Sequence, residues 1–237
     1  MRAHRISTTV AIAAFMAVAV IGIAQKLDLV LAANNSVPEV TVPQTALNSL
    51  IGEPDRHFHR AADLYVKGDT EGTASEIRAA AALIRIEAGR GSKQDAAKLE
   101  TAATDLDTLA GNVASGNVAS RRELDLAFAR ADLALATHYR SMARTALTNK
   151  DRAGAGRWLK AAGDSVDEAA VWTGKSPSGT QAQVWDQMHA LQAKIRTGAN
   201  WSYGEAKKGV GYLGTQIQYL GQQMQNFGGS STKHNAN

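Results

Sequence analysis

The sequence predicts an all-α fold: stacked antiparallel helical hairpins, or a helical bundle with an internal two-fold repeat, behind an N-terminal signal or anchor segment. Three observations predict it. First, an offset of 82 positions brings residues 56–88 over residues 138–170. It aligns Ala61 with Ala143, Asp69 with Asp151, Ala79-Ala80 with Ala161-Ala162, Ile84 with Val166 and Ala88 with Ala170. Second, apolar residues recur every three or four positions through most of the chain, which suits one face of a helix and cannot suit a strand. Third, apolar content is 44% while aromatics supply only 5%, so alanine carries much of the apolar surface. Alanine has the best helix propensity and lets helix backbones approach closely.

The elements follow in order. Residues 1–32 read as a signal peptide or signal-anchor. Arg2 and Arg5 precede an uncharged run from Thr9 to Ala24, and Val30-Leu31-Ala32 or Gly22-Ile23-Ala24 offers small residues for cleavage. The run is long for a signal and short for a membrane span of about 20 residues, so cleavage and retention through residues 9–24 both stand. Either way the body is expected outside the cytoplasm, periplasmic or secreted. Residues 33–44 (ANNSVPEVTVPQ) form an extended tether with two prolines.

A helical-hairpin domain is expected over 45–175 and contains both repeats. A short helix over 44–51 precedes one that starts at Pro54 and ends near Gly68, with Phe58, Ala61, Ala62 and Tyr65 inside. Asp69 caps the next, whose stripe is Ala74, Ile77, Ala81, Ile84 and Ala88. Ser92 opens a third helix bearing Leu99, Ala103, Leu106 and Val113. The tandem pentapeptide GNVASGNVAS at 111–120 then reads as a frayed end and loop. Ser120 and Glu123 form a capping-box signature for the longest central helix, with Leu124, Phe128, Ala131, Leu135, His138, Met142 and Ala146 on one face. After the turn Asn149-Lys150-Asp151, the return helix carries Leu159, Ala162, Val166, Ala169 and Trp172.

A C-terminal hairpin is expected over 176–227, entered through the linker at 175–179. Its first helix shows Val184, Met188, Leu191 and Ile195. Its second opens with a capping box, Ser202 and Glu205, and carries Ala206, Val210, Leu213, Ile217, Leu220, Met224 and Phe227. The 4-3 alternation of that seam is of the coiled-coil kind. Gly204 and Gly211, and Gly214 and Gly221, recur seven apart, which predicts tight pairing with the preceding helix or with a second chain. Residues 228–237 read as a disordered tail.

Composition narrows function. The chain has 237 residues, a formal charge of +4 and no cysteine. Disulfides, thiolate metal sites and Cys nucleophiles are therefore excluded. Basic and acidic residues intermix without a basic, aromatic-studded stripe, so nucleic acid is not an expected partner. Gly163-Asp164-Ser165-Val166-Asp167 lacks the last glycine of a nucleophile elbow and sits in a helix. The carboxylate pairs at Asp105/Asp107 and Asp164/Asp167/Glu168 read as solvated charge.

Two weak constellations remain. His138, Tyr139 and Met142 on the central helix are candidates for binding a cofactor such as haem, and His57, His59 and Asp63 for binding a metal, because bundles build such sites from inward His, Met and carboxylates. The plainer reading makes these histidines hydrogen-bonded parts of helix seams, and no cofactor is assigned. The sequence thus points to an exported, non-enzymatic interaction or scaffold protein of the cell envelope. Its expected partners are other envelope proteins, or itself through the C-terminal helix, and it would meet the membrane only through an uncleaved N-terminal segment. The alternative is a periplasmic bundle binding a small ligand, metal or haem.

Overall fold

The computed structural model describes residues 44–118, 120–175 and 177–229. The leader expected at 1–32 and the tether expected at 33–44, as far as residue 43, lie outside the described residues, as does the tail expected at 228–237 from residue 230 onward. Gln44 opens α1 and residues 228–229 belong to α8 rather than to a tether or tail. Every element among the described residues is helical: α1 (Gln44–Asn48), α2 (Glu53–Val66), α3 (Thr70–Ala88), α4 (Lys93–Ala114), α5 (Arg121–Thr148), α6 (Arg152–Thr173), α7 (Thr180–Arg196) and α8 (Tyr203–Gly229). None of these helices is long and apolar enough to cross a membrane.

Local chemistry sets the boundaries. The α2–α3 turn closes with the amides of Gly68 and Asp69 donating to Tyr65 and Leu64 carbonyls at 3.0 Å each. The Asp69 carboxylate then accepts from the Gly72 amide at 2.8 Å and caps α3. The α5–α6 turn has the same pattern 82 positions later. Lys150 and Asp151 amides reach Leu147 and Ala146 at 3.2 and 2.8 Å, and Asp151 caps α6 through the Gly154 amide at 2.8 Å. In both, the residue after the helix is left-handed: Gly68 at φ 77° and Lys150 at φ 59°. Glycine takes that conformation freely; for lysine it costs roughly 1–2 kcal/mol.

Some expected caps form and one does not. Ser202 and Glu205 make both bonds of the capping box, at 2.7 and 3.1 Å. At the start of α5 the Ser120 side chain makes no cap bond, although the helix begins where the signature placed it. The tandem pentapeptide adopts two conformations. Its first copy ends α4 with Val113 buried, and its second begins the loop after Gly116, which sits at φ 69°.

The helices run sequentially against one another from α2 to α6, and α5 is the hub, touching α2, α4, α6 and α8. The core is continuous. Phe58 stacks on Phe128 with ring centroids 4.6 Å apart, and Ile77, Ile84, Leu99, Leu106, Leu124 and Leu135 are fully or almost fully buried around them. Each such side chain contributes about 1.5–3 kcal/mol on burial, and the alanines between them hold the helix axes close.

The seam of α8 faces inward. Ala206, Val210, Leu213, Leu220 and Met224 are buried and Ile217 is half-buried, and the helix packs on α5, α6 and α7. On α7 the buried stripe begins at Trp185 rather than at the expected Val184, because the indole covers more apolar surface than valine. The close approach of α8 to α7 is at Gly209, where a Cβ would lie 2.4 Å from Leu191 Cδ2. Gly211 and Gly221 face open space, so the sevenfold spacing did not mark the contact.

Candidate functional site

Two groups of polar side chains lie inside this bundle, and α5 contributes to both. The first surrounds His138. The turn between α3 and α4 brings Arg90 inward, where Nη1 donates to the Leu47 carbonyl at 3.0 Å and to Glu87 Oε1 at 2.7 Å. Nη2 donates to Asn48 Oδ1 at 2.8 Å, and the guanidinium lies 4.8 Å from the Trp158 ring. One buried cation therefore ties α1, α3 and α6 together. His138 is fully buried, and its Nε2 stands 3.6 Å from Glu87 Oε2, beyond hydrogen-bond reach. Gly91 is required beside it, because a Cβ there would fall 2.8 Å from the imidazole. Tyr139 stacks on Trp158, its hydroxyl makes no hydrogen bond within the protein, and burial followed by the charge of Glu87 raises its pKa. Met142, the third member of this candidate set, is half-buried against the core.

The second group centres on Asp132, six residues nearer the start of α5. Its carboxyl is fully buried and faces Asp55 of α2, yet neither oxygen has a formed hydrogen bond. Burial is the main force raising both carboxyls. Asp55 is pushed up to about 6, and Asp132 goes well above the ordinary range because the charge of Asp55 adds to its burial. Trp172 of α6 covers the pair with its indole N–H unpartnered, and His59 lies against that indole at 4.6 Å. His59 Nε2 is hydrogen-bonded to Glu168 Oε2 at 2.9 Å.

The structure separates the three residues offered as metal ligands. His57 bonds Glu76 of α3 at 2.5 Å, while His59 reaches to α6. Asp63 is exposed near the end of α2. Among the described residues no three His, Cys, Asp or Glu side chains are grouped to hold a metal ion. His57, His59 and, on α7, His189 each join a carboxylate of another helix; His189 meets Asp167 at 2.9 Å. Asp167 and Glu168 are thus cross-links between helices rather than merely solvated charge. Burial raises the Asp167 carboxyl, against the bond from His189.

Sequence reasoning missed Asp55, Glu87, Arg90 and Asp132. The signal for Asp132 was present, since it falls in register between Phe128 and Leu135 on a face otherwise read as apolar. All four tryptophans are buried.

Two open grooves mark the surface, away from these clusters. One of about 430 Å³ lies between α4 and α5 over Ala102, Ala127, Ala131 and Ala134, rimmed by Lys98, Asp105, Glu123 and Arg130. The other, of about 540 Å³, lies between the end of α5 and α8. An all-helical bundle with an internally bonded polar interior is the class these observations define. The chain matches no protein-family model, and no similar protein was found among curated proteins or solved structures.

Proposed function

We propose that this is an exported, non-enzymatic helical interaction or scaffold protein of the cell envelope, periplasmic or secreted, or held at the inner membrane by residues 9–24. One observation carries the reading: Arg90 and three of the histidines are engaged in bonds between helices. Arg90 joins three elements, His57 and His59 join α2 to α3 and α6, and His189 joins α7 to α6. What remains free is outer surface. The exposed face of α8, with Gly211, Thr215, Gln218 and Gln222, is an uncharged surface on which another envelope protein or a second copy would pack.

In the same reading, hairpins α2–α3 and α5–α6 are two copies of one unit, supported by their shared turn and by contacts at matching places. His57 meets Glu76 in the first, and Tyr139 meets Trp158 in the second, each pair being 82 positions apart. Crosslinking of the full chain in its native envelope, with fractionation, tests the function. Discrete crosslinked species in the exported fraction are expected; a strictly monomeric, partnerless protein, or one retained in the cytoplasm, would refute it.

The unpartnered polar atoms of His138, Tyr139 and Glu87 favour the alternative, a small-ligand-binding bundle. Equilibrium dialysis against metals and haem separates the two, since loss of uptake in His138→Phe would assign a site there.

A further inference from the structure

The groove between α5 and α8 carries charge of one sign. It is lined by Arg144, Leu147, Thr148, Lys150, Lys207 and Val210, and no carboxylate contributes to it. The three cations are exposed and make no ion pair with any of the described residues, unlike Arg85 with Glu100 and Asp107, Arg121 with Asp125, or Lys194 with Glu205. Nearby acids are committed elsewhere. Glu205 is bonded to Lys194 and to the Ser202 amide, and Asp151 caps α6.

A fourth cation is fixed at the edge of this groove. Arg140, one turn before Arg144, donates from Nε to the Val210 carbonyl at 2.7 Å. Its guanidinium lies over Gly214, where a Cβ would stand 2.6 Å from Nη2, so glycine at 214 makes room for it. Burial, and then the charge of Arg144, lower the Arg140 pKa. Lys150 occupies the left-handed position where the other hairpin has Gly68. The C-terminus of α5 and the N-terminus of α6 meet here, so their end charges oppose one another. The attraction therefore comes from the side chains.

We propose that this groove is an oxyanion site that takes a phosphate-type group, either on a small soluble phosphomonoester or on a phospholipid headgroup. The chemistry fits both sources. Guanidinium groups offer paired donors to phosphate oxygens, lysines add point charges, and Leu147 and Val210 give a small apolar floor for the carbon skeleton attached to the phosphate. At about 540 Å³ the groove is of the size of small-molecule sites.

The test uses the full chain and the double variant Arg144→Gln/Lys207→Gln, both changes being at exposed positions, with folding verified by circular dichroism. Binding of inorganic phosphate and of glycerol phosphate is measured by equilibrium dialysis at low and high salt. In parallel, flotation compares vesicles of phosphatidylcholine with vesicles containing phosphatidylglycerol. The N-terminal segment, with Arg2 and Arg5, is common to wild type and variant, so only the difference between the two proteins is read. Saturable phosphate uptake that falls about tenfold or more in the double variant, the loss expected for charge-assisted contacts, identifies the soluble source. Selective flotation on anionic vesicles, lost in the variant, identifies the headgroup. Either binding must weaken as salt rises. Absence of both, or binding that the double variant leaves unchanged, overturns the proposal.

Discussion

Replacing Asp132 by asparagine reports on the interior more directly than any other single change. In the unfolded chain this carboxyl ionises at its ordinary value of 3.8, whereas in the folded protein burial and the charge of Asp55 hold it well above that. A carboxyl raised by folding stabilises fully below its unfolded value, and the contribution is lost as pH rises toward its folded value. While the folded protein keeps the Asp132 proton and the unfolded chain does not, stability falls by about 1.4 kcal/mol per pH unit. Asp55, held at about 6, adds a loss of the same sign between pH 3.8 and about 6. Asparagine keeps the shape but does not ionise. The stability of Asp132→Asn relative to wild type should therefore rise with pH above about 4, by about 1.4 kcal/mol per pH unit for as long as the folded wild type keeps that proton. Urea unfolding at several pH values and fixed ionic strength, followed by tryptophan fluorescence and circular dichroism, measures that difference. Groups common to both proteins cancel in it, including Asp167, which burial raises, and Glu205, which its bond with Lys194 lowers to about 2. Parallel pH profiles for the two proteins would mean that Asp132 ionises as freely when folded as when unfolded, and would refute the reasoning.

Three further outcomes are expected. Glu87→Gln removes the charge beside Arg90 in a pair whose side chains are 1% and 3% exposed; the uncompensated guanidinium should cost about 3 kcal/mol in denaturant unfolding, and a change below about 1 kcal/mol would show that the Leu47 carbonyl and Asn48 suffice. Lys150→Gly relieves a left-handed lysine and should stabilise by about 1 kcal/mol, visible as a higher melting temperature; an unchanged or lower value would contradict the backbone strain. Gly209→Ala sets a methyl against Leu191 and should destabilise by about 1–3 kcal/mol. Gly211→Ala, facing open space, should instead stabilise by up to about 1 kcal/mol through helix propensity. Equal effects at the two glycines would show that α7 and α8 do not meet at Gly209.

Periodicity recovered nearly every helix because apolar spacing reports which face is buried, whatever buries it. It could not say what covers each face. The seam of α8 reads as a coiled-coil contact, yet α5, α6 and α7 together cover it. Of the four glycines spaced seven apart only Gly214 meets another helix, through Arg140 of α5, while Gly211 and Gly221 face open space. A glycine weakens a helix whether or not a neighbour is near, so spacing alone cannot separate Gly209 from Gly211. The buried acids were missed for a related reason. Asp132 and Glu87 lie in or beside apolar stripes, but charged residues are so much commoner at surfaces that their sequence positions read as solvated. Only three-dimensional placement shows Asp55 brought up to Asp132 from a helix some eighty positions earlier.

The two hairpins show how neighbours decide what a position becomes. Their turns are closed by the same bonds, so the local sequence requirement there is an aspartate cap followed by glycine three residues on, and both hairpins meet it. Away from the turn the requirement comes from the surroundings. On α2, which has the bundle on one side and solvent on the other, His57 meets Glu76 as a half-buried polar pair. On α5, enclosed by α2, α4, α6 and α8, the matching position is Tyr139, which stacks on Trp158 of α6 at 5.8 Å, both rings being buried. An imidazole–carboxylate pair at the enclosed site would lose hydration on both partners for a single hydrogen bond, whereas two aromatic rings gain from the same enclosure. Exchanging the pairs is accordingly asymmetric. Placing His and Glu at 139 and 158 should cost several kcal/mol, while Tyr and Trp at 57 and 76 should cost little, and chemical unfolding of the two double variants decides it. Equal costs would mean that enclosure by the other helices does not set the chemistry of the interior.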